Sequence, residues 1–96
     1  MKNIESLVFG AANVAGISYL LHQAEFDAGI EMIQAGRLEE GVHHRSSAIT
    51  GILFDGASTA FRQGDTSSGL GYVNAGMKEL VENQRLLRGL REEGLI

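Results

Sequence analysis

The chain contains no cysteine and no proline. Without cysteine there is no disulfide framework, no thiolate metal site and no cysteine nucleophile, and the redox compartment leaves no trace in the composition. Without proline, nothing of that kind interrupts a helix, so long helices are permitted. A block of basic charge is missing too. The formal charge of −4 divides into −3 over residues 1–36, zero over 37–62 and −1 over 63–96. No segment carries the positive footprint of a nucleic-acid binder, and direct DNA or RNA binding is not expected.

What is abundant is glycine, with 13 in 96 residues. Each glycine inside a helix costs about 1 kcal/mol relative to alanine, so this frequency predicts helices that approach closely backbone to backbone. A chain this short buries a modest share of its surface, and association with other copies is a direct way to complete a core. One domain spanning residues 1–96 is expected.

Apolar residues recur at steps of three and four along three stretches, the periodicity of a helix face. The first runs over 4–36, from Ile4 and Leu7 through Leu21, Phe26 and Ile30 to Ile33. The second covers 43–62 and carries Ile49, Ile52, Leu53, Ala57, Ala60 and Phe61. A turn at Gln63–Gly69 follows, in which Gly64 can close one helix and Asp65, Thr66 or Ser67 can cap the next. The third stretch, 68–92, aligns Leu70, Val73, Met77, Leu80, Val81, Leu87 and Leu90, places Arg85, Arg88 and Arg91 at the negative end of the helix dipole, and ends near Gly94. Arg37, Glu39 and Glu40 read as a solvated stretch, and the spacing leaves open whether the first two helices join through Gly36 and Gly41. The fold class is all-α: two to three helices in a hairpin or bundle, assembling as an oligomer.

Between Glu5 and Glu25 there is no formal charge, and residues 7–21 read LVFGAANVAGISYLL. This approaches the polarity of a membrane segment, but Asn13, Ser18 and His22 dilute it, and about twenty apolar residues are needed to cross the hydrocarbon core. Glu5 soon after Lys2, with no small-x-small site after Leu21, argues against a secretory signal. Small residues in this region suit tight helix contact in lipid or in a soluble bundle. Ala12, Gly16, Gly29, Gly51 and Gly56 are the positions expected to resist bulky replacement.

No catalytic, cofactor-binding or metal-binding residue is assigned. His43 and His44 are consecutive and diverge by about 100° on a helix, so they cannot face one metal ion together. His22 suits a helix interface. Ser46 and Ser47 lack an oriented base and an oxyanion hole nearby. The pairs Glu39/Glu40 and Glu92/Glu93 diverge as solvated charge. Gly69-Leu70-Gly71-Tyr72 lacks the spacing, strand and lysine of a phosphate loop, and close packing explains it better.

Residues 23–91 resemble the helical internal virion proteins of tailed, short-tailed-type bacteriophages. The resemblance lies in the order of elements: QAEFDAGIEMIQAGRLEEG, then HHRSSAITGILFDGASTAF, the turn GDTSSGLGYVNAG, and a charged helix ending RLLRGLREEG. Those proteins are generally longer and richer in alanine and glutamine. The resemblance implies a non-enzymatic structural component of the virion that helps eject the genome. Its partners would be further copies of itself, other virion proteins and, through residues 7–21, the host envelope. A second resemblance, of SSAITGILFDG to the strand-and-turn segment of blue-light flavin-binding domains, implies a strand at 47–54, with the flavin-contacting positions near His44 and Gln63. A secretion-system filament or adaptor subunit would share the same assembly features.

Overall fold

The computed structural model describes Ala11 and residues 17–96. Three helices follow in chain order: α1 at Ile17–Gln34, α2 at Leu38–Arg62 and α3 at Thr66–Glu92. No strand occurs among the described residues. The all-helical reading therefore holds. The strand that the flavin-domain resemblance implies at 47–54 is not found: those residues lie inside α2, as their helical spacing predicts, with Ile49, Ile52 and Leu53 buried.

Each helix ends in the same way. Gly36, Gly64 and Gly94 have φ of 85°, 81° and 75°, the left-handed region that glycine enters without steric cost. At the first of these ends Gly36 N–H donates to Ile33 O and Arg37 N–H to Met32 O, and the same pattern recurs as Gly64 to Phe61 and Asp65 to Ala60. These Schellman pairs satisfy carbonyls that would otherwise be orphaned. The first two helices are thus separate, and Gly36, not Gly41, parts them. The second helix begins at Leu38, five residues ahead of the expected start at 43. Glu39 and Glu40 stay solvated, yet they occupy its first turn, where the helix dipole favours acids. The third begins at Thr66, two residues ahead of the expected 68, because the Asp65 side chain caps it by accepting from Ser68 N–H at 3.1 Å. Hydrogen bonds from Ser68 hold the Asp65 carboxyl below the ordinary aspartate value.

Helix α2 is the middle layer. Both α1 and α3 pack against it, and among the described residues none of α1 touches α3. The core is built of small and medium side chains: Ala11, Ile49, Ile52, Leu53 and Ala75 cluster together, with Phe26 and Tyr72 packed against them. Among the described residues Leu53 is the largest side chain that is completely buried.

Glycine sets the interhelical spacing, as the composition predicts. A Cβ on Gly29 would stand 2.7 Å from Arg45 N and 2.9 Å from Gly41 O, so α1 and α2 meet backbone to backbone. On the other side of α2, the rings of Phe61 and Phe54 cover Gly69 and Gly76. Gly56 lies against Ala11. Gly51 has a different function from the one expected: it opens space for the His22 imidazole and does not bring two backbones together. Ala12 and Gly16 lie outside the described residues, as does most of 7–21. Among the described residues no helix is long and apolar enough to cross a membrane.

Candidate functional site

Two histidine–carboxylate pairs cross the α1–α2 seam in opposite senses. His22 of α1 reaches Asp55 of α2, with Nε2 2.7 Å from Oδ2, and His44 of α2 stands with Nδ1 3.4 Å from Glu25 Oε2 on α1. Gly51 makes room for the first, one helical turn before Asp55. His22 is therefore an interface residue, in keeping with its expected place. His43 points elsewhere, toward a shallow hollow that it shares with Arg88 and Arg91 of α3. The consecutive histidines serve different helix neighbours, as their angular divergence requires.

The same geometry removes the flavin arrangement. His44 lies within α2 and Gln63 is its C-cap. A rise of 1.5 Å per residue places them roughly 28 Å apart along the helix, too far for one isoalloxazine ring to meet both. Among the described residues no three histidine or carboxylate side chains come together as a metal-ligand group.

Ser46 and Ser47 also part company. Ser47 is exposed, whereas Ser46 is 3% exposed and its Oγ has no hydrogen-bond partner among the described residues. A sealed, unmatched hydroxyl costs stability, and alanine is the better helix former. Ser46→Ala is expected to raise stability by about 1 kcal/mol, read as a higher urea midpoint with an unchanged slope.

One side chain ties all three helices. The Arg45 guanidinium carbon stands 5.9 Å from the centre of the Phe26 ring on α1, and Nη1 lies 3.6 Å from Glu79 Oε1 on α3. Sequence spacing did not reveal this link, because it joins residues that are distant in the chain. At the open end of the α2–α3 pair, Arg91 donates to Glu39 at 3.1 Å. Glu79 is mostly buried, and desolvation pushes its carboxyl above the ordinary value of 4.5, with the Arg45 charge working against that. Since the folded protein holds this proton more tightly than the unfolded chain, the contribution is full below that ordinary value. It is lost as pH rises through the higher folded value. Replacing Glu79 by Gln is expected to flatten the decline of stability above that pH, measured as urea midpoints at a series of pH values; parallel wild-type and variant curves would contradict it.

The outward face of α3 is apolar and uncovered. Leu70 is 54% exposed, Met77 57%, Leu80 46% and Val81 48%. Leu70, Met77 and Val81 follow at steps of seven and four, one line along a helix. Leu80, four residues after Gly76, lies toward the edge that Phe54 borders. Beside this line runs an open trough of about 470 Å³, lined by Asn74, Met77, Lys78, Val81, Glu82 and Arg85, all of α3. The stripe was legible in the sequence as an apolar helix face. Its exposure was not.

No known protein family matches the chain, and no curated protein or solved structure shows significant similarity to it.

Proposed function

We propose that the chain is a non-enzymatic assembly protein that acts as a homo-oligomer. The observation that carries this reading is the α3 stripe, where Leu70, Met77 and Val81 face solvent along one line of a helix of 27 residues. Scattered apolar residues are ordinary on a protein surface, but an aligned row of this kind marks an interaction face. His22 and His44 support it too, since both face carboxylates across the α1–α2 seam. In the narrower form of this reading the protein is an internal virion or genome-ejection component, with other virion proteins as partners. That form rests on the order of elements in 23–91, and envelope contact is assigned to 7–21.

Light scattering coupled to size-exclusion chromatography over a dilution series tests the broader reading. The expected result is a mass at a multiple of 10.3 kDa that falls on dilution, and a constant monomer mass would refute it. Flotation with phospholipid vesicles and mass spectrometry of purified virions test the narrower one. Vesicle binding together with peptides from inside the capsid supports it; protein that neither floats nor enters particles removes it while leaving the assembly reading intact.

A further inference from the structure

We infer that the hollow between α2 and α3, which His43 faces, is a phosphate-binding site with Arg88 as its main contact. It does not depend on the assembly reading. The hollow has a volume of about 370 Å³ and is lined by His43 of α2 and by Gln84, Leu87, Arg88 and Arg91 of α3. At 3.6 residues per turn these four α3 positions fall within an arc of about 100°, so one side of the helix carries them all. Leu87 is buried, which leaves an apolar base beneath a rim of polar groups. Every polar side chain there can donate an N–H: two guanidiniums, a carboxamide and an imidazole. Among the described residues no carboxylate lines the hollow.

The pairing of the arginines singles out Arg88. Arg37, Arg45 and Arg85 each meet a nearby glutamate, Arg62 donates to the hydroxyls of Ser58 and Thr59, and Arg91 meets Glu39 at 3.1 Å. Arg88 has no hydrogen bond or ion pair among the described residues. Its charge is uncompensated at the hollow, whereas Glu39 offsets that of Arg91 and holds it at the rim. A guanidinium presents its N–H groups in a fork that matches two oxygens of a phosphate or a carboxylate. The other donors decide between the two. His43 comes from the opposite helix and Gln84 from one turn before Arg88, so N–H groups reach the hollow from more than one side. A tetrahedral phosphate has further oxygens to accept from them, while the fork occupies both oxygens of a planar carboxylate. One uncompensated guanidinium suits a single phosphate group, free in solution or on a lipid headgroup, and not a polyanion.

Inorganic phosphate is the first probe, titrated into isotope-labelled protein and followed by nuclear magnetic resonance, with chloride at equal ionic strength as the comparison. Saturable shifts of the Arg88 side-chain N–H and the His43 ring, with His22 and His44 unmoved, are the expected result. Arg88 is exposed, so Arg88→Gln is expected to keep the helical circular dichroism while weakening phosphate binding about tenfold. Arg62→Gln, at the other end of α2, is expected to leave binding unchanged. Phosphatidylcholine vesicles with and without phosphatidic acid separate the two sources. Cosedimentation with the phosphatidic acid vesicles that Arg88→Gln abolishes assigns the site to a headgroup, and phosphate binding without cosedimentation assigns it to a soluble ligand. No saturable response to phosphate or vesicles, shifts that chloride reproduces, or an affinity that ignores Arg88→Gln overturns the site and leaves the assembly reading standing.

Discussion

Leu53→Ala is expected to cost about 2–5 kcal/mol, the largest loss from any single truncation in this fold. Leu53 is 0% exposed and sits among Ile49, Ile52, Ala11 and Ala75. Truncation removes the transfer free energy of the lost atoms and leaves a cavity that its neighbours, themselves short or held in helices, are poorly shaped to fill. Native domains are stable by roughly 5–15 kcal/mol, so the variant would lose a large fraction of the total. Urea denaturation followed by far-ultraviolet circular dichroism measures it. Leu80→Ala is the contrast: on an exposed face it is expected to leave monomer stability within about 0.5 kcal/mol. Equal losses at the two positions would show that the core is not where the burial pattern puts it.

Gly41→Ala is expected to act almost as strongly and through a different cause. A methyl group there would stand 2.7 Å from Gly29 O and 2.8 Å from Ile33 N. Both are backbone atoms, so no rotamer change relieves the clash, and α1 must move away from α2. Overpacking of this kind costs about 1–3 kcal/mol, more than the ~1 kcal/mol that alanine gains as a helix former. At Gly71, where nothing lies within 4 Å of the added carbon, the same exchange is expected to stabilise by about 0.5–1 kcal/mol. Denaturation midpoints moving in opposite directions, with faster amide exchange in α1 of the Gly41 variant, are the expected result. Two stabilising substitutions would mean that the seam has slack.

These contrasts explain which parts of the molecule the sequence disclosed. Helix faces were legible because burial repeats every three or four residues, and the turn at 63–69 was legible because Gly64 and Asp65 are chemically suited to end one helix and start another. The start of α2 was hidden: Arg37, Glu39 and Glu40 look the same in a solvated loop as in a first helical turn. Glycine content announced close approach, but the partner of each glycine is a tertiary fact. Gly29 and Gly41 meet each other, Gly51 faces an imidazole, and Gly71 faces nothing. The Arg45 bridge and the exposure of the α3 stripe were beyond periodicity for the same reason. A periodic pattern identifies a face without saying what covers it.

The position of α2 between its two neighbours bears on how the chain comes apart. The two interfaces among α1, α2 and α3 both join helices adjacent in sequence, so loop closure is inexpensive and these contacts are local, the condition for rapid folding. Tension on the C-terminal end would draw α3 off α2 while the α1–α2 seam stays whole, because the helices α1 and α3 are not in contact with each other. Unravelling would proceed one helix at a time, and the released strand would be no wider than a single helix, about 10–12 Å with its side chains.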